Sequence, residues 1–138
     1  MLLRRNRLMI WTFGTLGLVT VAAAAGVADY RYEQHDLRKR AEAITGGNID
    51  RGERAFIAYG CGGCHTVLGV TQAQGMVGPP LDGVGGRAVI AGKLENKPDN
   101  LVRWIMHPQR VSPGTAMPDL AVSERSARDI AAFLYTQS

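Results

Sequence analysis

Cys61-Gly62-Gly63-Cys64-His65 is the stretch on which the reading of this 138-residue chain turns. A C-x-x-C-H run is the attachment signal of a c-type haem. The two thiols add across the porphyrin vinyl groups, and the neighbouring imidazole turns onto the iron as its proximal ligand. Two intervening residues form a tight turn that matches the vinyl separation. Gly62 and Gly63 are expected to ease that turn, because glycine accepts backbone angles other residues resist.

Other chemistries use paired cysteines. A thioredoxin-like dithiol wants a βαβ context, and a zinc site wants two further ligands at matching spacing. The chain holds only two cysteines, and its other histidines, His35 and His107, lie far from them in sequence. A disulfide across two residues closes a small, strained ring. Haem is the reading these residues favour.

Upstream, Leu8 to Ala28 runs 21 residues without a charge, LMIWTFGTLGLVTVAAAAGVA. As a helix rising about 1.5 Å per residue it spans roughly 30 Å, the thickness of a bilayer's hydrocarbon core. Arg4, Arg5 and Arg7 precede it, which places the N-terminus in the cytoplasm and everything after Asp29 outside. The rival reading is a cleaved signal peptide, favoured by the Ala-rich end. The run exceeds the roughly 7–15 residues of a signal's apolar core, and Trp11 suits an interfacial anchor. A retained anchor over 1–28 is expected, with lipid contact through residues 8–28. That topology agrees with the motif, since c-type haem is attached outside the bacterial cytoplasmic membrane.

The net charge of +4 is concentrated in those leading arginines. From Gly46 to Ser138 there are nine Arg/Lys against eight Asp/Glu, near +1. Two ionised haem propionates would bring this to about −1. No basic patch with interleaved aromatics stands out, so nucleic acid is not an expected partner.

Asp29 to Ala43 carries four acidic and four basic residues among good helix formers. It reads as a solvated helical stalk, with His35 exposed on it, inside a linker over 29–46. Gly46-Gly47 marks the boundary of a domain over 47–138. Ile49 to Gly60 reads as its first helix, with Ala55, Phe56 and Tyr59 on one face and Gly52 placed for a close helix crossing. Thr66 to Lys97 is rich in loop residues and is not expected to build a core of its own; a large flat apolar ligand would order it. Pro98 to His107 reads as a short amphipathic helix with Leu101, Trp104 and Ile105 together, ended by Pro108. Met117 lies in a turn between Gly114 and Pro118. Ser123 to Thr136 reads as the last helix, capped by Ser123, with Ile130, Phe133 and Leu134 buried. Nothing reads as a strand, so the expected class is all-α.

In this order, helix, C-x-x-C-H, G-P-x-L at 78–81, N-L-x-x-W-I at 100–105, P-G-T-x-M-P at 113–118 and a C-terminal helix, the chain resembles the class I cytochrome c family over about residues 47–138. The resemblance implies a cytochrome c fold wrapped around one covalent haem c, preceded here by the single transmembrane helix. It implies thioethers at Cys61 and Cys64 and proximal ligation by His65. The Pro79 carbonyl would accept the imidazole N–H, which orients the ring and raises its basicity. Leu81 would pack on the haem, Arg87 would lie near a propionate, and Trp104 would lie close to the distal ligand. Met117 would be that ligand, with Met76, Met106 and His107 as competitors. The ring of lysines that guides mitochondrial-type members to their partners is missing. GCGGCHTV, NLVRWIMHPQ and PGTAMP look most like haem domains fused to the copper-bearing subunit of some bacterial oxidases, without the copper subunit itself.

His/Met ligation fills both axial positions and raises the reduction potential, which suits one-electron transfer and leaves no open site for substrate. The resemblance therefore implies an electron-transfer protein and no enzyme by itself. It would be tethered on the outer face of a bacterial cytoplasmic membrane, passing electrons from a quinol-oxidising complex to a terminal oxidase or serving as a subunit of one. The alternatives are a haem subunit of a nitric oxide reductase or dehydrogenase, and a haem sensor or peroxidase with a labile sixth ligand.

Overall fold

The computed structural model describes residues 2–137, with side chains from residue 17 onward. It divides into two compact units, Met1–Asp36 and Leu37–Ser138.

Helix α1, Leu2–Thr45, begins in the first unit. Of the uncharged run expected to span a bilayer, residues 8–16 lie outside the described side chains. The described part, from Gly17 to Ala28, is a helix that exposes Leu18, Val19, Val21 and Val27. Among the described residues no helix is long and apolar enough to cross a membrane. His35 is exposed, in agreement with its placement on a solvated helix.

The second unit takes in the end of α1. The stretch read as a stalk and linker over 29–46 finishes inside it, because Ala41 and Thr45 are buried at 2% and 1% exposure. Thr45 can be buried because its hydroxyl donates back to the Ala41 carbonyl at 2.7 Å. Glu42 accepts from the Asn48 side chain at 2.8 Å and from the Ile49 N–H at 3.0 Å. These bonds tie the last turn of α1 to the start of the next helix.

That helix, α2, covers Ile49–Ala58. Asn48 caps it by accepting from the Arg51 N–H at 3.0 Å, and Asp50 lies in the positive first turn. Ile49, Gly52 and Phe56, spaced three and four apart, form its buried face. Helix α5, Glu124–Tyr135, packs across it and is capped by Ser123, as the sequence suggested. The rings of Phe56 and Phe133 meet with centroids 5.7 Å apart and planes tilted by 56°, the geometry aromatic quadrupoles favour. Burial on α5 runs wider than the expected stripe, from Ala127 through Leu134 with only Arg128 part-exposed, because α3 packs on this helix too.

Helix α3, Pro98–Met106, has proline at its first position and buries Leu101, Val102 and Ile105. Pro108 ends it and at once begins a single turn, α4, Pro108–Val111, that the sequence did not suggest. The all-α expectation also needs a small correction. Val89–Ile90 (β1) and Leu94–Glu95 (β2) pair antiparallel around a tight turn. Two residues per strand leave no alternating pattern to read.

The loop-rich stretch from Thr66 to Lys97 contributes to the shared core rather than to one of its own. Val67, Val70, Ala73, Val84 and Ile90 are all buried and join the common core. Short-range backbone bonds make this possible: Val67 and Ala73 pair across the loop at 3.2 Å, and Ala73 donates to Val70 at 3.0 Å. The loop meets its polar backbone needs internally and can turn its small apolar side chains inward.

Candidate functional site

The C-x-x-C-H stretch follows directly from the end of α2. Gly60 takes φ 73°, a left-handed conformation open chiefly to glycine, and the chain reverses into a 3₁₀ turn over Cys61–Gly63. The Cys61 carbonyl accepts from the Cys64 N–H at 3.2 Å and from the His65 N–H at 3.0 Å. Both thiols and the imidazole are thus held on one closed turn. The reversing glycine is Gly60, and neither Gly62 nor Gly63 has positive φ. Gly62 has a different reason to lack a side chain: a Cβ there would lie 2.2 Å from the Gln72 carbonyl oxygen.

A second segment runs alongside this turn. Gly75 donates to Gly62 at 2.9 Å, Gly78 to Cys64 at 2.8 Å, and Leu81 to Thr66 at 2.9 Å. The ladder brings Pro79 under the imidazole, where its carbonyl accepts from His65 Nδ1 at 2.8 Å. A Cβ on Gly78 would sit 2.4 Å from His65 Cε1, so the chain can pass this close to the ring only as glycine. The carbonyl fixes the tautomer with the proton on Nδ1 and leaves Nε2 to act as a ligand.

Arg87 does not reach out from this segment but folds back on it. It donates through Nη2 to the carbonyls of Pro80 at 2.6 Å and Asp82 at 3.0 Å. The Asp82 carboxylate accepts from the Leu68 N–H at 2.7 Å. Leu81 is half-buried against the core, as are Cys61 and Trp104 of α3.

Met117 lies in the loop between α4 and α5 and is half-buried. One side chain holds this loop. Gln109 donates through Nε2 to the carbonyls of Thr115 and Met117, both at 2.7 Å, and accepts from the Gly114 N–H at 3.2 Å. Met76 is 90% exposed, whereas Met106 rests on the core and His107 is half-buried at the α3–α4 junction.

The structure therefore joins Cys61, Cys64, His65, Pro79, Leu81 and Arg87 into one hydrogen-bonded unit. Trp104 belongs to the same core cluster, and Met117 is set on a separate clamped loop. Sequence reasoning missed Gln109 and Asn96. Asn96 donates through Nδ2 to the carbonyls of Val84 and Arg87, each at 2.8 Å, and accepts from the Tyr135 hydroxyl at 2.9 Å. An amide side chain amid loop residues carries no periodic signal; only its position beside Pro108 in the HPQ run hinted at Gln109.

No disulfide joins Cys61 and Cys64. Burial pushes the Cys61 thiol up to about 11, so it stays protonated at neutral pH. A redox dithiol needs the opposite, a thiol poised to ionise. Among the described residues no cluster of three or more His, Cys, Asp or Glu side chains is gathered for a metal ion, so the four ligands of a zinc site are not assembled. The residues do fit a covalent haem. Two cysteine side chains not joined as a disulfide share a turn with an imidazole whose Nδ1 is bonded to the Pro79 carbonyl, beside the half-buried apolar edge of the core.

Comparison with known proteins agrees with this geometry. The cytochrome c family model matches residues 49–138. Over 85 residues the chain is 39% identical to cytochrome c oxidase subunit 2 of Alkalihalophilus pseudofirmus, covering 62% of this chain and 23% of that protein. Over 65 residues it is 42% identical to cytochrome c oxidase subunit 2 of Bacillus sp. strain PS3, covering 46% of this chain and 18% of that protein. The match thus spans less than a quarter of the length of these curated relatives. No solved structure matches the chain significantly.

Proposed function

The chain belongs to the cytochrome c family, and on that footing we propose that it is a membrane-tethered, single-haem electron carrier working with a terminal oxidase. Haem c is the family's covalent cofactor, and when bound it supplies an iron that cycles by one electron. The chain's own residues do the rest.

Cys61 and Cys64 hold the cofactor by thioether bonds, so it cannot dissociate with the electron. His65 is the proximal ligand, and Pro79 keeps its ring in one orientation. That 2.8 Å contact is the observation that carries the reading, because a histidine so oriented beside two cysteines has Nε2 left for iron. Met117 is the distal ligand. Met76 is 90% exposed, whereas Met117 is held at its own carbonyl by Gln109. His65 and Met117 together would hold the iron with no site left open for substrate, which suits one-electron transfer. Arg87 stabilises the proximal loop, and Leu81 and Trp104 keep water from the cofactor's faces.

Similarity to oxidase subunit 2 proteins supports a terminal oxidase as the electron acceptor; in this reading the donor is a quinol-oxidising complex. The uncharged run over 8–28, with Arg4, Arg5 and Arg7 before it, supports an anchor that leaves residues 47–138 on the outer face. Such a tether would raise the carrier's effective concentration beside membrane partners.

Absorption spectra of the detergent-solubilised holoprotein, oxidised and reduced, with and without carbon monoxide, test the proposal. The expected result is a c-type reduced spectrum, a methionine–iron band when oxidised, and no carbon monoxide shift. A missing band together with a carbon monoxide shift would replace the carrier with a sensor or peroxidase.

A further inference from the structure

We propose that Gln109 is the positioning residue of the Met117 side of the site: one side-chain amide sets whether the methionine loop stays closed. The inference rests on Met117 being the distal ligand.

A loop that carries a weak thioether ligand must be held by something other than the iron bond. Residues 112–118 have few backbone bonds of their own. Thr115 donates to the Ser112 carbonyl at 3.1 Å, and Gly114 turns the chain at φ 81°. Gln109 supplies what is missing. Both amide hydrogens and the amide oxygen are engaged, at Thr115, Met117 and Gly114, so three points of the loop meet on one side chain. Its base is firm: Gln109 stands on α4, directly after Pro108, which is fully buried. The Gln109 N–H also lies 3.4 Å from the Asp119 carboxylate, just beyond Met117.

The contact at Met117 is to its carbonyl, so the clamp fixes the backbone from which the thioether extends without touching sulfur. Loss of the amide should therefore leave folding of the helices and haem attachment intact while the methionine leaves more readily. Removing hydrogen bonds of ordinary net strength moves such an open–closed balance about tenfold.

The test compares the full-length holoprotein with Gln109→Ala, Gln109→Glu and Met117→Ala, reading the oxidised methionine–iron band against pH and carbon monoxide binding to the reduced form. In Gln109→Ala the pH midpoint at which the band fades should drop by about one unit, the tenfold change in balance, and a carbon monoxide shift that wild type lacks should appear in the reduced form. Gln109→Glu keeps the shape but turns two donors into lone pairs facing carbonyls. It should weaken the band at neutral pH and regain part of it in mild acid, when a carboxyl proton restores one donor. If Gln109→Ala fails to accumulate, this near-isosteric variant carries the test. Should both variants match wild type in band, pH midpoint and absence of a carbon monoxide shift while Met117→Ala loses its band, Gln109 has no such role. Should Met117→Ala keep the band, the ligand assignment itself is wrong and the clamp has nothing to position.

Discussion

The carbonyl oxygen of Asp129 occupies the place where a side chain on Gly52 would begin. A Cβ at Gly52 would lie 1.9 Å from that oxygen and 2.9 Å from Phe133 Cβ. Helices α2 and α5 therefore cross in backbone contact, and Phe56 and Phe133 close over the crossing. The turn that carries Cys61, Cys64 and His65 leaves directly from the end of α2. The position of the site is set by this crossing.

Gly52→Ala should accordingly destabilise the domain by about 3 kcal/mol, the scale of severe overpacking. Intrinsic helix propensity predicts the opposite sign, a gain of about 1 kcal/mol. Denaturant unfolding of the holoprotein separates the two, and a stabilised variant would show that the crossing is looser than described.

Gly78→Ala tests the proximal side. Its Cβ would press on the His65 ring at 2.4 Å from Cε1, so either the ring or the Pro79 carbonyl must move. Covalent haem should still form at Cys61 and Cys64, while the proximal bond is altered. The reduction potential should shift in Gly78→Ala, because the Pro79 hydrogen bond sets the basicity of the His65 ring, and an unchanged potential would place the ring's orientation under other control.

Asp129 gives the domain an acid dependence of definite sign. Burial opposes its ionisation, but the hydrogen bond from Arg51, the Asn48 N–H and the charges of Arg51 and Arg125 outweigh it and hold the carboxyl below its ordinary range. Arg51 engages it bidentately at 2.8 and 2.9 Å, and Asn48 N–H at 2.6 Å. Folding is therefore favoured by the ionised form. This stability is present above the unfolded carboxyl value near pH ~3.9 and is lost as pH falls through the lower folded value. Asp129→Asn should cost about 2 kcal/mol at neutral pH, typical of charged hydrogen bonds. The gap from wild type, followed by thermal unfolding across acid pH, should narrow as the medium becomes acidic.

Asn96 links the 84–88 loop to the C-terminal helix. Asn96→Ala leaves the carbonyls of Val84 and Arg87 and the Tyr135 hydroxyl without their partner and should cost about 2–3 kcal/mol. Tyr135→Phe removes only one of these bonds and should cost about 1 kcal/mol. Equal losses in the two variants would mean that the Tyr135 bond alone matters.

How far the sequence could be read depended on the range of the interactions involved. The helices around Phe56, Ile105 and Phe133 were legible because burial on a helix repeats every three to four residues, and the Ser123 cap because it acts within one turn. Gly52 was legible as a packing glycine, its partner not. Gly62 and Gly63 were read as turn formers, whereas Gly60 makes the reversal and Gly62 yields room to Gln72. The β1–β2 hairpin and α4 were too short to leave a pattern. The end of the polar stretch after Asp29 was read as solvated, yet Ala41 and Thr45 are buried, because local composition does not say which helix face finds a partner.

By itself the sequence determined the chemistry: two thiols and an imidazole within five residues, a proline after Gly78, and a methionine in a Gly-Pro turn. These are covalent facts and short spacings, which chain connectivity enforces whatever else happens. Only the tertiary structure decided how they are held. The Pro79 carbonyl reaches His65 across fourteen positions, Asp129 reaches Asn48 across eighty-one, and one amide at Gln109 gathers three points of the Met117 loop. Such contacts depend on directions in space that no spacing encodes, since they exist only once the helices have packed and brought distant backbone into hydrogen-bonding range.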